Sequence, residues 1–389
     1  MNIGALLKLP PQTDLNRFVQ VVNDTLNYYD IFRCRLVFHP VTNDICQRFD
    51  GEIIPVVIEK ISDEELEQRK KELMQPYELV NKPLYRIYIF ETPTAKYLYL
   101  DFYHAILDGT SASVLFWREV AMRYKGKKIT RTPLNYADYI LDELKVSPEE
   151  LAEGYNFWHE MLNNIDPEKY LPLEDVGNFE DVEFGQMHSL LVLIKNITQK
   201  YFVKNVHNEN IFFLAAAMLT FAKISGSKIS FMNWIHNGRH TMQERRLMGA
   251  MLEQYFIVWN FEKDMTAAEF LNGIAEKMNV SLKYRRSLEA AYSAPIELEC
   301  PTFNFQKNIL TFPLGDSTCE VVDLPPNKWT FAENSLDIEV NLNDDGNYYI
   351  YFDYDSGAHS AEVMEKFAAT FDEIVLQLQD ENILISKIL

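Results

Sequence analysis

The chain has 389 residues, which is long for a single hydrophobic core and predicts two domains or lobes. Hydrophobic residues make up 47% of the sequence, as in a packed globular protein, and this excludes a disordered chain. The net charge of -20 argues against a nucleic-acid partner, because phosphate backbones are bound by concentrated basic faces.

The sequence lacks motifs for cofactors, metals and membranes. Its four cysteines show neither metal-ligand spacing nor the pattern of a disulfide framework. No glycine-rich nucleotide motif and no zinc-binding helix pattern occur, so we expect no intrinsic cofactor and no metal. The N-terminus has no targeting pattern, and no apolar run is long enough to span a membrane. We therefore expect a cytoplasmic protein that binds neither membranes nor nucleic acid.

Hydrophobic spacing predicts a mixture of strands and helices in the first half of the chain. Strands are predicted at 3–9, 32–39, 85–90 and 97–102, the last two as an antiparallel pair across a short turn. Helices are predicted at 15–28, with Asp14 as the cap, and at 63–74, 113–124, 135–144 and 148–162. The polar segment 163–185 is a candidate crossover, so the predicted lobes are 1–165 and 166–389.

The second half repeats this mixture. Strands are predicted at 189–194, 229–235, 255–261, 302–306, 335–342 and 348–354, and helices at 198–207, 211–224, 267–284 and 360–379. Each half therefore supplies several strands and the helices to pack on them. The predicted fold class is α/β, in the form of two α+β sandwich lobes of similar make-up.

The segment from Tyr103 to Gly109, YHAILDG, is the strongest candidate for a functional site. It lies between a predicted buried strand and a predicted helix, where a tight turn directs a side chain into a cleft, and residues 110–113 can cap that helix. His104 can accept a proton near neutral pH. Asp108 is better placed to hold the loop through a charged partner. Gly109 permits a close backbone approach, or a dihedral that a Cβ forbids.

Taken in order, this and other segments resemble the condensation domains of nonribosomal peptide synthetases, which have a chloramphenicol-acetyltransferase-like fold. YHAILDG resembles the family's H-H-x-x-x-D-G motif, with Tyr103 in place of the first histidine. The other matches are YDIFRCRL at 29–36, YADY at 136–139, YNFW at 155–158, NGR at 237–239, MG at 248–249, FNFQ at 303–306 and the late strands at 337–354. The resemblance covers nearly the whole chain and rests on the order of these segments.

The resemblance implies two chloramphenicol-acetyltransferase-like lobes in a V-shaped pseudo-dimer with a central tunnel. Donor and acceptor carrier proteins would insert their phosphopantetheine arms, so the chain itself needs no cofactor, and an adenylation domain can be a further partner. An amine, or sometimes a hydroxyl, then attacks the thioester to give an amide or an ester. Holding both substrates together supplies much of such catalysis by proximity.

The resemblance also implies a role for each residue of the motif. His104 matches the family's functional second histidine and would act as general base or orient the nucleophile. The N–H of Gly109 is a candidate donor to the developing oxyanion. Asp108 is expected to pair with Arg33 and to shape the loop without touching substrate. Tyr103 stands beside them at the first histidine position.

Substrate contacts are expected in the second half of the chain. The candidate substrate-binding residues are Asn304, Gln306, Trp329, Ser335 and His236. The alternative interpretation for Asn304, Gln306 and His236 is that their side chains are simply exposed to solvent. The aromatic residues at 136, 139, 155 and 158 are expected to pack in the interior and not to contact substrate.

Departures from the family pattern narrow the reaction but leave three interpretations. The tyrosine at 103 and the lack of a glutamate before NGR disfavour epimerisation, and the lack of an aspartate at 103 disfavours heterocyclisation. The motifs at 248–254 and 284–289 are eroded. Because these 389 residues contain no adenylation or carrier sequence, we expect either an excised domain or a stand-alone transferase. We expect a condensation-type acyltransferase. The alternatives are a free-standing acyltransferase for a soluble amine or alcohol, and a catalytically silent docking domain.

Overall fold

The computed structural model describes residues 2–129, 134–166, 168–173, 187–203, 207–289, 300–307, 311–324, 334–343 and 345–389. Contacts within the chain divide it into two compact units. Unit 1 comprises Met1–Lys145, Asn237–Leu252 and Ile309–Trp329, and unit 2 comprises Val146–His236, Glu253–Asn308 and Thr330–Leu389. Within the described ranges, every helix is too short or too polar to cross a lipid bilayer.

These units differ from the predicted lobes, 1–165 and 166–389, because unit 1 is assembled from three separate segments. The helix Pro148–Asn163 belongs to unit 2, where its Trp158 is fully buried in the hydrophobic core. The two later segments of unit 1 bring Met251 and Phe312 into the core of that unit. A boundary predicted from a polar linker does not show that later segments of the chain join unit 1 again, because this depends on contacts between residues distant in sequence.

Unit 1 is built on a five-stranded sheet. Its strands are β1 (Asn2–Lys8), β4 (Ile58–Lys60), β5 (Tyr85–Glu91), β6 (Lys96–Tyr103) and β13 (Glu320–Val322). Their order is β13-β1-β6-β5-β4, and β4 pairs parallel with β5 while the other neighbours are antiparallel. On β6, Leu98, Leu100 and Phe102 point into the main core of unit 1. The alternation of apolar residues along β6 places Asp101 on the opposite face.

Helices and short hairpins complete unit 1. The helices are α1 (Leu15–Tyr28), α2 (Asp63–Lys70), α3 and α4 (Tyr136–Glu143). The helix α3 starts as a π-helical turn at Thr110–Phe116 and continues as an α-helix at Trp117–Tyr124. Two 3-10 turns (Asp30–Arg33 and Glu244–Arg246) and two hairpins, β2 (Arg35–Phe38) with β3 (Ile45–Arg48) and β11 (Pro313–Leu314) with β12 (Ser317–Thr318), complete the unit. Asp14 caps α1 by accepting the N–H of Arg17 at 3.1 Å, which confirms the predicted cap. The strand predicted at 32–39 is instead the 3-10 turn followed by the short β2.

Unit 2 is built on a six-stranded sheet. Its strands are β7 (Met187–Thr198), β8 (Ile229–His236), β9 (Glu253–Asn260), β10 (Thr302–Lys307), β14 (Leu336–Leu342) and β15 (Asn347–Asp355). Their order is β7-β15-β14-β10-β8-β9, with β10 parallel to both β8 and β14 and the other pairs antiparallel. Burial alternates along β14 and β15, so one face of the sheet is apolar and the other is largely polar.

The helices of unit 2 supply the apolar surface that this sheet needs. They are α5 (Pro148–Asn163), α6 (Gln199–Phe202), α7 (Glu209–Ser225), α8 (Ala267–Lys283), a 3-10 turn (Arg285–Ser287), α9 (Ala361–Gln377) and α10 (Ile385–Ile388). Most residues of α7 are fully buried, and the helix ends at Gly226, whose φ of 71° lies in the left-handed region that glycine adopts without strain. The predicted strands of this half and the helices predicted at 211–224, 267–284 and 360–379 are present, with ends shifted by a few residues. Of the helix predicted at 198–207, Gln199–Phe202 is helical and residues 204–206 lie outside the described residues.

Candidate active site

The histidine of the motif lies in a turn at the end of β6. The N–H of Tyr103 still bonds the carbonyl of Leu84 at 2.9 Å, and the N–H of Ile106 then closes the turn on the carbonyl of Tyr103 at 3.0 Å. Ile106 and Leu107 are fully buried in the core of unit 1 and anchor the turn from below. His104 is half-buried, and no group in the described part of the chain hydrogen-bonds its ring. Its imidazole nitrogens are therefore free to bind a substrate.

Asp108 is the structural centre of this loop. Its Oδ1 accepts the N–H of Ser111 at 2.7 Å and Nη2 of Arg239 at 3.1 Å. Its Oδ2 accepts Nη1 of Arg239 at 2.8 Å and the N–H of Met251 at 3.0 Å. The side chain thus caps the start of α3 itself, where the sequence had suggested residues 110–113. Both carboxylate oxygens have two donors, so the loop is fixed and Asp108 is not available to a substrate.

The partner of Asp108 is Arg239, and the predicted pairing with Arg33 is wrong. Arg239 reaches Asp108 in the bidentate geometry that guanidinium and carboxylate favour, and both side chains are almost fully buried. Arg33 lies in the 3-10 turn, where its nitrogens approach the carbonyl of Gly51 at 3.4 Å and Oδ1 of Asn27 at 3.5 Å. The guanidinium of Arg33 therefore bonds neutral oxygens close to its own turn and does not reach Asp108.

Backbone geometry at NGR explains how Arg239 reaches this position. Oδ1 of Asn237 accepts the N–H of Arg239 at 3.1 Å and so tightens the turn. Gly238 has a φ of 63°, and a Cβ on it would lie 1.5 Å from the carbonyl oxygen of Met251. The left-handed conformation favours glycine, and the close approach to Met251 leaves no room for any other residue. The NGR segment is therefore the sequence signal for the arginine that holds Asp108.

Ser111 and Gly249 extend the network below the loop. Oγ of Ser111 donates to the carbonyl of Gly249 at 2.8 Å and accepts the N–H of Gly249 at 3.0 Å, and Nη2 of Arg239 donates to the same hydroxyl at 2.7 Å. The hydroxyl of Tyr136 donates to the carbonyl of Ala250 at 2.8 Å. Burial raises the pKa of Tyr136, and the charge of Asp108 raises it further, which keeps this donor protonated. Sequence reasoning treated Tyr136 as a packing residue and Ser111 as part of the segment 110–113 that can cap the helix, and it did not predict their bonds to residues 249 and 250.

Gly109 begins the helix with ordinary helical dihedrals, φ -57° and ψ -40°. The suggestion that this glycine is needed for a dihedral closed to other residues is therefore wrong. Its N–H finds no acceptor within the described ranges, as expected for the first turn of a helix. An N–H without a protein acceptor can donate to an oxyanion. The π-helical turn that follows is itself a form found frequently at functional sites.

Tyr103, which replaces the first histidine of the motif, is a structural neighbour of His104. It is the last residue of β6, and Asn2 of β1 lies opposite it. Its ring packs against that of Tyr77 with centroids 5.8 Å apart. These contacts give the half-buried Tyr103 a packing role. Its assignment as a residue that supports the site stays a prediction.

The candidate substrate-binding residues are in unit 2 or outside the described residues. Asn304 and Gln306 lie on β10, half-buried, and Gln306 donates to Oε2 of Glu339 at 2.9 Å. His236 ends β8, with its Nδ1 3.4 Å from Oε2 of Glu253. Ser335 is half-buried beside β14, and its carbonyl accepts the N–H of Asp355 at 3.1 Å. Trp329 lies outside the described residues. Contact of these residues with substrate stays a prediction.

The family model described as the condensation domain matches residues 1–382. A curated relative, tyrocidine synthase 3 of Brevibacillus parabrevis, is 25% identical over 205 residues. That match covers 50% of this chain and 3% of the relative. The chain therefore spans a small part of the length of the multidomain protein that it resembles.

Two solved structures share the fold at low sequence identity. The condensation domain of the monacolin K polyketide synthase MokA has a TM-score of 0.79 at 14% identity, covering 99% of this chain and 93% of that chain. The epimerization domain from the third module of tyrocidine synthetase B has a TM-score of 0.78 at 16% identity, covering 97% of this chain and 92% of that chain. These likenesses confirm the predicted mixed helix and strand fold. The V-shaped arrangement of the lobes stays a prediction.

Proposed function

Because the chain belongs to the condensation-domain family, we propose that it is an acyltransferase that forms an amide or ester bond between a thioester donor and a nucleophilic acceptor. The observation that supports this proposal most strongly is the state of His104. Its ring is half-buried and has no protein hydrogen bond within the described part of the chain, while the loop that carries it is locked by a buried ion pair. A rigid loop that presents a free imidazole is what acid–base catalysis requires.

The proposed reaction joins the acceptor nitrogen to the thioester carbon. The amine attacks this carbon, the C–S bond breaks, and the donor leaves as a thiol. One proton leaves the amine and one joins the sulfur, so His104 can accept the first and deliver the second, or hold the amine in line. The N–H of Gly109 is the proposed donor to the oxygen that becomes negative in the tetrahedral intermediate.

We propose that partner carrier proteins present both substrates on phosphopantetheine arms, in a synthetase that also contains an adenylation domain. The relatives are multidomain synthetases of nonribosomal peptides, which supports this arrangement. The chain itself would then need no bound cofactor, since the thioester arrives already activated on its arm. Localisation in the cytoplasm, where such synthetases find their amino acids, is part of the same proposal.

The test follows amide formation by intact mass of a donor-loaded carrier protein incubated with a panel of amines. Wild type should convert the acyl carrier to free carrier and amide, and His104→Ala should be slower by about 10²- to 10⁴-fold. Tyr103→Phe is the matched control, because it alters the adjacent side chain and should retain turnover. Melting temperatures of the three proteins show whether each variant is folded.

Other outcomes would point to a different function. Equal turnover by wild type and His104→Ala would leave positioning as the source of catalysis and remove His104 from the chemistry. Turnover with a coenzyme-A thioester, but not with the loaded carrier, would indicate a free-standing acyltransferase. Tight carrier binding without turnover of either donor would indicate a docking domain.

A further inference from the structure

The unit 2 sheet ends at β9, and the outer edge of this strand lies along a cavity. β9 pairs with β8 on one side and has no neighbouring strand among the described residues on the other. The cavity measures about 470 Å³, a volume typical of ligand sites. Residues 256–259, which are consecutive on β9, all line it. Because successive side chains of a strand point to opposite faces, a cavity that touches all four residues follows the edge of the strand.

The hydrogen bonds between β8 and β9 show which backbone groups point towards this edge. The N–H of Phe261 donates to the carbonyl of Lys228 at 2.8 Å, in the same register as the pairs along the two strands. Residue pairs in an antiparallel ladder alternate between bonded and non-bonded. Counting back from Phe261, the N–H and C=O of Val258 and Asn260 belong to non-bonded pairs and point away from β8.

The other side of β8 agrees with this alternation. The N–H of Asn233 donates to the carbonyl of Pro301 at 2.9 Å, so it points away from β9, as expected for the non-bonded partner of Phe256. The backbone groups of Val258 and Asn260 have no hydrogen-bond partner in the described part of the chain. Unpaired N–H and C=O groups in a row are a template for a further strand.

β9 lacks the features that usually protect an edge strand. Natural edges are blunted by proline, by bulges or by charged side chains that point inward. Residues 255–259, YFIVW, are instead an unbroken apolar run, and they pair with β8 in a single register. An edge of this kind can accept an added strand, with main-chain bonds for affinity and neighbouring pockets for specificity.

Helices α5 and α8 supply the walls of the cavity. Phe157 and Met161 of α5 and Val280 of α8 line it with apolar groups. The ring of Trp259 packs closely on α8, because a Cβ on Gly273 would lie 2.2 Å from Cη2 of the ring. A segment added to β9 would therefore bury apolar side chains against these walls.

The charged groups of the cavity favour a basic occupant. Glu160 of α5 and two residues of α8, Glu276 and Lys277, line it. Nζ of Lys277 lies 5.6 Å from the centre of the Trp259 ring, and burial lowers the pKa of Lys277, although the charge of Glu276 opposes the shift. Glu160 forms no ion pair within the described ranges. Two carboxylates against one ammonium group leave an attraction for a positive charge.

We propose that the outer edge of β9 binds an extended peptide segment of a partner protein, with apolar residues at alternate positions and a basic residue among them. The segment pairs through its main chain with Val258 and Asn260, and its basic group lies beside Glu160. Four residues of strand span about 13 Å, so about four or five residues fill the cavity. All of these groups belong to unit 2, and the inference goes beyond the proposed function.

The experiment measures the fluorescence anisotropy of a fluorescein-labelled peptide, VKVTVKV, titrated with the whole chain. The comparison peptide, VEVTVEV, has the same apolar residues and the opposite charge. We expect wild type to bind the basic peptide at least about tenfold more tightly than the acidic one, and Glu160→Lys to remove most of this preference. Glu365→Lys is the matched control, since it reverses an equal charge at an exposed position on α9 and should keep the preference.

A backbone variant tests strand addition directly. Val258→Pro removes the N–H that points into the cavity and leaves the bonds between β8 and β9 in place, since Val258 makes none of them. It should weaken binding of the basic peptide at least about tenfold, whereas Val258→Ala, which keeps the N–H, should weaken it by less than about threefold.

The peptide provides the same test if thermal melting shows that Val258→Pro does not fold. N-methylation of every second residue removes the N–H groups from one edge of the peptide strand. Of the two possible methylation patterns, one should abolish binding and the other should retain it. Equal effects of the two patterns would overturn strand addition.

Equal affinity for the basic and acidic peptides, or no binding of either up to about 1 mM, would overturn the inference. Equal losses in Glu160→Lys and Glu365→Lys, or full affinity in a folded Val258→Pro variant, would also do so. A dimer that light scattering detects in wild type and not in Val258→Pro would assign the edge to a second copy of this chain instead. Binding is measured without turnover, so each outcome is separate from the test of the proposed function.

Discussion

Asp108 and Arg239 form a buried ion pair, with 2% and 5% of their surfaces exposed. Such a pair is stable only when its remaining hydrogen-bonding groups are satisfied, because both ions have lost their hydration. Here the carboxylate accepts four hydrogen bonds, and the guanidinium also donates to Ser111 and to the carbonyls of Asn237 and Leu247. Nε of Arg239 is the exception, since it is buried with no hydrogen-bond partner among the described residues. The pair thus joins the motif loop to a segment that follows it by more than a hundred residues.

We expect Asp108→Ala and Arg239→Ala each to lower the free energy of unfolding by about 3–5 kcal/mol, since each leaves the opposite charge buried and unpaired. The double variant should lose clearly less than the sum, because residues in direct contact do not act additively. Denaturant titration of the three variants and wild type measures these values. Soluble yield should fall in parallel with turnover.

Arg33→Ala is the matched control for this prediction. Among the described residues its guanidinium makes two long hydrogen bonds, of 3.4 and 3.5 Å, so its removal should cost less than about 1 kcal/mol. It should also be additive with Asp108→Ala. Coupling between Arg33 and Asp108, together with independent behaviour of Arg239, would contradict the pairing in this structure.

The sequence correctly placed the motif between a strand and a helix, but it named the wrong partner for Asp108. A strand, a histidine, an aspartate and a helix start follow one another in the chain, so local order places them correctly. The choice between Arg33 and Arg239 depends on which strand ends come together in space, and sequence order alone does not decide it. The sequence feature that does indicate Arg239 is the preceding Gly238. An Asn-Gly pair favours a left-handed turn, and here that turn comes directly before the arginine.

At the scale of elements, the sequence predicted the long periodic segments and missed the short ones. The helix α1 and the β5–β6 hairpin were predicted almost to the residue, because their apolar spacing is unambiguous. Strands of two to four residues, such as β4 and β13, carry too little pattern to stand out. The start of α3 was predicted three residues late. Its cap is Asp108, which the sequence analysis had assigned to holding the loop and had not considered as a helix cap.

Gly249 shows how packing between elements constrains the site. A Cβ on this residue would lie 2.0 Å from Cε2 of Tyr136. We expect Gly249→Ala to lower the free energy of unfolding by about 1–3 kcal/mol, since the ring is buried and cannot move away freely. The backbone of Gly249 also bonds Ser111, so turnover should fall as the loop shifts.

A double-mutant cycle with Tyr136→Leu isolates this clash. The shorter side chain removes the ring atoms that meet the new methyl group, so Gly249→Ala should cost less in the Tyr136→Leu background than in wild type. Thermal or denaturant unfolding of the four proteins gives the coupling. An identical cost in both backgrounds would show that Gly249 is needed for some reason other than its contact with Tyr136.

At the scale of the whole molecule, the two units are interleaved in sequence. The chain leaves unit 1 three times and returns to it twice, and each return carries residues that the unit needs. The first return brings Arg239, and the second brings β13, which extends the sheet beside β1. The sequence suggested two lobes of similar make-up, but a linear reading assigns each segment once and so overlooks these exchanges.

One buried carboxyl in unit 1, Asp101, is expected to make stability depend on pH. Asp101 is fully buried on β6, where its Oδ2 accepts Nη1 of Arg86 at 3.1 Å. Burial raises the pKa of Asp101 from 3.8 to about 6, although Arg86 opposes the shift. The folded state thus holds this proton more tightly than the unfolded chain. Its stabilising contribution is complete below pH 3.8 and is lost as the pH rises to about 6.

We expect the stability of wild type relative to Asp101→Asn to fall by up to about 3 kcal/mol between pH 4 and pH 7. The asparagine variant has no proton to lose at this site, so subtracting its stability removes the titration of the other groups. Denaturant titrations of both proteins at several pH values measure the difference. A difference that stays constant across this range would mean that Asp101 titrates normally in the folded chain.

Salt separates this effect from the general repulsion expected at a net charge of -20. Lowering the pH reduces that charge and should also stabilise both proteins, but repulsion between exposed charges is largely screened beyond about 10 Å at 0.1 M salt. Asp101 is buried, so its contribution should persist at about 0.5 M salt while the shared part of the pH dependence shrinks. If the difference between wild type and Asp101→Asn vanished with added salt, its source would be surface repulsion and not the desolvated carboxyl.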